Sequence, residues 1–104
     1  MSRYVLMPAA KEDLAEIRDY YVEDAGYRVA RQMVVEFVEA FRFLARTPGA
    51  GHVRHDLAED RPILFWPMRD YLILYKSSSK PLEILSIFRG SRDVPVLIGR
   101  RKLQ

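Results

Sequence analysis

Apolar positions along this chain fall into two regimes. Through residues 8–46 they recur three or four apart, and from residue 63 onward they run almost unbroken in short stretches parted by polar turns. The first spacing belongs to amphipathic helices and the second to buried strands. Ala10, Leu14, Ile17 and Tyr21 line one face of a first helix. Pro8 suits its opening turn, where a missing N–H leaves no bond unmade. Asp24-Ala25-Gly26 ends it, with Gly26 placed for a left-handed cap. A second helix runs from Arg28 to Arg46 on the stripe Ala30, Met33, Val34, Phe37, Phe41 and Leu44, until Thr47-Pro48-Gly49 stops it. So short a link predicts an antiparallel helical hairpin.

The strand-like stretches frame that hairpin. Arg3 to Met7 reads as a short first strand, and residues 49–60 as a loop. Ile63–Met68, Tyr71–Lys76 and Leu82–Phe88 then follow, joined by Arg69-Asp70 and by the polar turn 77–81. They are rich in β-branched and aromatic residues and too short for helices. Short connections make the three antiparallel neighbours. A short apolar anchor, Val96–Ile98, precedes a basic end. The predicted fold is α+β: one N-terminal strand, an α-helical hairpin, then a three-stranded antiparallel meander with a short C-terminal tail. Within it, "RPILFWPMRDYLILYK" (Arg61–Lys76) poses the functional question. It is either the core hairpin of a small domain or the floor of an active site.

Composition narrows the classes. At 104 residues, 49% of them hydrophobic, the chain makes one domain, residues 1–104, with a core of its own. No apolar run approaches the ~18–20 residues of a membrane span. The N-terminus turns polar and acidic too soon for a secretory signal. Absence of cysteine removes disulfides and thiolate chemistry, so a cytoplasmic setting is expected. The net charge of +3 hides an asymmetry. Residues 11–24 carry six acids against Lys11 and Arg18, whereas residues 89–104 carry Arg89, Arg92, Arg100, Arg101 and Lys102 against Asp93 alone. The basic end suits an acidic partner, nucleic acid or polypeptide; two solvated faces of opposite sign are the plainer account.

Candidate chemistry is sparse. His52 and His55, with Asp56 beside them, are raw material for a metal site, but a loop without a further ligand cluster reads better as solvated. No metal or cofactor is therefore expected. His55 has the right type for a general base near neutral pH, yet no paired acid stands near it. "GAG" at residues 49–51 does not sit between a strand and a helix as a phosphate-cradling loop would. Trp66, Tyr71 and Tyr75 could stack on bases, although aromatics on strands more often pack a sheet. Arg89 and Arg92, leaving the last strand, suit bidentate contact with carboxylate or phosphate; an internal Arg92–Asp pair is the alternative.

The order "PAAKEDLAEIRDYYVED", "FLARTPGAGHVRHDL", "FWPMRDYLILYKSSSKPLEILSIFRGSRD" resembles the RelE/ParE superfamily of toxin–antitoxin toxins from Met7 to about Leu97. The resemblance rests on Leu14, Ile17, Tyr20-Tyr21, Pro48, Gly51, Asp56-Leu57, Tyr71 with Tyr75, and Gly90-Ser-Arg92-Asp93. It implies a small bacterial toxin in a hetero-oligomer with a cognate antitoxin. RelE-like members cut messenger RNA on the ribosome with basic and tyrosine side chains on the sheet; ParE-like members lack that set and are associated with inhibition of DNA gyrase. Aligned through Tyr71 and Tyr75, the RelE basic positions fall near Ile63, Phe65 and Leu72, none of which can donate to a phosphate or move a proton. That places the chain on the ParE-like side. It departs from that branch too, since Leu64 stands where an Arg is common, with Arg61 a few residues earlier. The reading expects target contacts at Arg61, Arg89 and Arg92 and antitoxin contacts at Phe65, Trp66 and Tyr71. The alternatives are a divergent ribosome-dependent endoribonuclease using His55, Arg61, Arg89 and Arg92, and a non-toxic antitoxin-binding relic.

Overall fold

A computed structural model describes residues 3–53 and 63–90. Strand β1 (Tyr4–Leu6) leads through Met7 into helix α1 (Pro8–Ala25), followed by α2 (Tyr27–Arg46) and a single 3-10 turn (Pro48–Ala50). Four more strands follow: β2 (His52–Val53), β3 (Ile63–Met68), β4 (Tyr71–Lys76) and β5 (Leu82–Arg89). The order across the sheet is β1-β5-β4-β3-β2. The last three strands form the expected antiparallel meander, and β1 lies parallel to β5. Two things were not anticipated. Within residues 49–60, His52 and Val53 pair with Phe65 and Leu64 as a fifth strand. The chain also brings its first strand to the far side of its last one. A strand two residues long carries too little pattern to show in sequence, and pattern alone does not say which edge of the sheet a first strand joins.

Each helix forms where its apolar spacing allowed. Pro8 stands at the start of α1, and Lys11 N–H bonds to Met7 O at 3.0 Å. Ala30, Met33, Phe37, Phe41 and Leu44 are the buried face of α2. Between the helices lies one residue. Gly26 has φ 93° and ψ 169°, which is extended and not the left-handed helical cap expected. That backbone region is essentially reserved for glycine. Gly26 thus serves as a one-residue hinge that starts α2 immediately.

The helices cover one face of the sheet. Phe37, Phe41 and Leu44 are fully buried there with Ile73, Tyr75 and Ile84. Aromatic rings interlock across this layer: Phe37 with Tyr71 at 5.5 Å, and Tyr4 with Phe41 at 5.3 Å. Burying one such ring is worth roughly 1.5–3 kcal/mol, so this layer dominates the stability. Alternation places Ile63, Leu74, Leu85 and Phe88 in a second cluster on the other face, with Phe65 and Leu72 packed against it. Both faces of the meander are therefore apolar, which accounts for the nearly unbroken hydrophobic runs.

A bulge keeps β5 in register with both clusters. Leu74 pairs with Ser86 but Tyr75 pairs with Ile84, so Leu85 is the extra residue. Because β1 ends at Leu6, it pairs only with Leu82–Ile84 and leaves the later part of that β5 edge without a strand. Asp13 of α1 fills the gap. Its buried carboxylate oxygen Oδ2 accepts Ile87 N–H at 2.9 Å and Ser86 Oγ–H at 2.8 Å.

Candidate functional site

The polar groups that the fold gathers sit where β4 begins and β5 ends. Tyr71 pairs across the sheet with Arg89, so both side chains project to the helix side. Tyr71 is buried against Phe37, and its hydroxyl donates to that of Tyr21 of α1 across a long 3.5 Å. Tyr20 adds an edge-on ring contact to Tyr21, at 5.1 Å. Arg89 is exposed and, among the described residues, has no ion pair or side-chain hydrogen bond. Asp70 O accepts Gly90 N–H and ties the end of β5 to the β3–β4 turn.

That turn is held from the other side. Arg69 has φ 53°, a conformation uncommon for a side-chain-bearing residue and proper to the first position of a tight hairpin turn. Its guanidinium grips Glu36 of α2 through two parallel bonds, Nε to Oε1 at 2.5 Å and Nη2 to Oε2 at 2.8 Å. The bonds from Arg69, and a lesser one from Gln32, hold the Glu36 carboxyl down at about 2. The folded value lies below the ordinary 4.5, so the pair stabilises the fold fully above pH 4.5 and is lost as pH falls toward 2. The Tm difference between the wild type and Glu36→Gln is expected to hold steady from pH 7 down to about 4.5 and then to close. It should be small throughout, because more than half of the Arg69 side chain is in water.

Burial, and then the bond to Tyr21, push the Tyr71 hydroxyl up to about 12, with the nearby Arg89 charge opposing the rise. At neutral pH this corner therefore offers the neutral Tyr71 hydroxyl beside the Arg89 guanidinium. Such a set can hold a carboxylate or phosphate but contains no group poised to take a proton near neutrality. Among the described residues no group of three or more His, Asp or Glu side chains could hold a metal ion.

Of the site residues expected from sequence, His55, Arg61 and Arg92 lie outside the described residues. Phe65, Trp66 and Tyr71 are described, and the expectation that they form one antitoxin surface needs correcting. Trp66 and Tyr71 face the helices, where Trp66 packs against Phe43 at 5.2 Å and Tyr71 is only 6% exposed. Phe65 points to the opposite face. Successive strand residues cannot share a face, so the grouping fails on pleat geometry alone. His52, half of the histidine pair, stacks near-parallel over Trp66 and tilts against Phe65. Ile63, Phe65 and Leu72, the positions that correspond to the basic residues of RelE-like members, do share one face, in an apolar cluster with Leu74, Leu85 and Phe88, and Lys76 and Glu83 oppose each other at its end.

A second surface was missed. On the outer side of α1, a hollow of about 160 Å³ is lined by Leu6, Leu14, Ala15 and Val34, with Lys11 and Arg18 beside it. Its signal is present in the sequence, since Lys11, Leu14, Ala15 and Arg18 are spaced to share one helix face. Helical spacing alone does not distinguish such a face from a buried one.

The sequence matches the family described as the ParE toxin of the type II toxin–antitoxin system parDE, over residues 4–94. Among solved structures, a chain from "Chromosomal ParDE TA system from P. aeruginosa" superposes with a TM-score of 0.71 at 24% identity, covering 88% of this chain and 98% of that one. At that identity the likeness speaks for the fold alone. A search of curated proteins finds no significant match.

Proposed function

Because the chain belongs to the family of ParE toxins of type II toxin–antitoxin systems, we propose that it acts by binding and not by cleaving RNA, with DNA gyrase as its target. The observation that carries this reading is the character of the sheet face opposite the helices. Among the described residues, Ile63, Phe65, Leu72, Leu74, Leu85 and Phe88 supply neither a base nor a cation at its centre, and its charged residues, Lys76 and Glu83, oppose each other at the far end of β4 and β5. Cleavage through a 2′-hydroxyl needs both near the phosphate. The target meets the corner of Arg89 and Tyr71, where Tyr21 is bonded to Tyr71 and Tyr20 packs against Tyr21. Arg89→Ala should abolish growth arrest while leaving the melting temperature nearly unchanged, since the side chain is exposed and, among the described residues, unpaired. Growth arrest that persists undiminished in this variant would remove Arg89 from the target surface.

Membership in a toxin–antitoxin family implies an antitoxin partner. In this reading the antitoxin covers the outer side of α1, where an apolar hollow flanked by cations adjoins β1. At the sheet edge, β1 pairs only with β5, and its Val5 is 38% exposed. A partner segment with apolar and acidic side chains fits both features. Arg18 carries a pair to Asp19 at 3.0 Å, but both are exposed and such a pair yields readily to a better partner. The double variant Lys11→Glu/Arg18→Glu is expected to weaken antitoxin binding by roughly 10- to 100-fold at low salt, mainly through a slower on-rate that added salt no longer lowers. Unchanged affinity measured by calorimetry at low and high salt would place the antitoxin elsewhere.

No described helix is long and apolar enough to cross a membrane.

A further inference from the structure

At the other end of β5 from Arg89, roughly 23 Å away at ~3.3 Å per residue, lies a hollow that neither surface above uses. It measures about 320 Å³ and is lined by Arg3, Ala45, Pro48, Lys80, Pro81 and Leu82, together with Ser79. That size is at the lower end of the roughly 300–1,000 Å³ of small-molecule sites. Its walls come from four places in the chain: the residue before β1, the end of α2, the 3-10 turn, and the β4–β5 connection.

The frame is fixed by hydrogen bonds. Leu82 N–H bonds to Arg3 O at 2.9 Å, which sets the two sides of the hollow beside each other. Ser79 Oγ donates to Lys76 O at 3.0 Å and accepts Glu83 N–H at 2.9 Å, which fixes the turn that carries Lys80. Tyr75 Oη donates to Pro48 O at 2.6 Å and accepts Gly51 N–H at 2.9 Å, which fixes the opposite wall.

Its charge is of one sign. Among the described residues Arg3 and Lys80 have no ion pair or side-chain hydrogen bond, and no carboxylate is among those that line the hollow. The end of α2 would ordinarily present free carbonyls that repel an anion. Here Phe43 O accepts Thr47 N–H, Thr47 O accepts Ala50 N–H, and Pro48 O is taken by Tyr75. Apolar walls beside a pair of cations, with these three of the nearby acceptors occupied, call for a ligand with an apolar body and one anionic head.

We propose that this hollow binds a small apolar monocarboxylate, its head between Arg3 and Lys80 and its body against Ala45, Pro48, Pro81 and Leu82. The site is independent of the α1 surface and of the Arg89 corner. Two-dimensional ¹H–¹⁵N spectra of the full chain, titrated separately with hexanoate, hexan-1-ol, inorganic phosphate and a short acidic peptide, test it. Hexanoate should give saturable shifts at the amides of Ala45, Ser79 and Leu82 and none at Arg89 or Gly90. Hexan-1-ol and phosphate should each bind at least roughly tenfold more weakly, because each lacks one half of the recognition. Arg3→Gln and Lys80→Gln should each weaken hexanoate by about the same factor while leaving the rest of the spectrum in place, both side chains being exposed. Equal binding of hexan-1-ol, equal binding of phosphate, or no effect of either variant would overturn the proposal. Saturable binding of the peptide without hexanoate would overturn it too, because the site would then belong to a polypeptide partner.

Discussion

Asp13→Ala is expected to lower the unfolding free energy by about 3 kcal/mol, since it leaves two buried donors unsatisfied at about 1–3 kcal/mol each. The carboxylate is 5% exposed and accepts from Ile87 N–H and Ser86 Oγ–H through one oxygen. For Ile87 N–H no described strand offers a substitute, because β1 stops short of this part of β5. Against a total stability of roughly 5–15 kcal/mol for a domain of this kind, the loss is large. Urea denaturation of the purified chain measures it. Asp13→Asn keeps an acceptor oxygen in place and should fall between the wild type and the alanine variant. If the alanine variant lost less than about 1 kcal/mol, water would have to reach these donors.

Gly51→Ala should cost about as much, about 2–3 kcal/mol, by a different route. An added Cβ would stand 2.5 Å from Tyr75 Oη and 2.8 Å from Phe65 O. The hydroxyl cannot swing away without giving up both of its bonds, to Pro48 O and from Gly51 N–H. Tyr75 itself is fully buried, and that burial pushes its hydroxyl above the ordinary value of 10. Tyr75→Phe removes only the bonds and should cost about 1–2 kcal/mol. The double variant Gly51→Ala/Tyr75→Phe should therefore lose less than the two single variants together, because the closest clash goes with the hydroxyl while those with Phe65 O and the ring of residue 75 stay. Simple additivity in this cycle would mean that the 3-10 turn moves aside instead.

Both of these sites depend on contacts that sequence reading does not reach. The helices were legible because Phe37, Phe41 and Leu44 repeat on one face over several turns, and the meander because its turns are short and polar. Asp13 was counted only among the acids of its segment. Nothing in its neighbours shows that it lies opposite a β5 edge seventy residues away, which requires knowing that β1 is parallel to β5 and short. Gly51 was noticed as part of a family pattern, and its reason, the Tyr75 hydroxyl, is a tertiary contact. The error over Phe65, Trp66 and Tyr71 is different in kind. Pleat alternation was available to separate Phe65 from Trp66, and aromatic character was given more weight than the face each residue occupies. Arg89 stands at the end of the last strand as the sequence suggests, but that its cross-strand partner Tyr71 reaches Tyr21 of α1 is a tertiary contact that the spacing of Tyr21 on a helix face does not show.

The central claim, inhibition of gyrase by binding without cleavage of RNA, is tested most directly by running the purified protein in two assays at one concentration series. One is supercoiling of relaxed plasmid by gyrase and ATP; the other is cleavage of messenger RNA on programmed ribosomes. Loss of supercoiling, relieved by Arg89→Ala and by added antitoxin, with the messenger intact at every concentration, is the predicted result. Codon-positioned cuts in the messenger, with supercoiling unaffected, would contradict it.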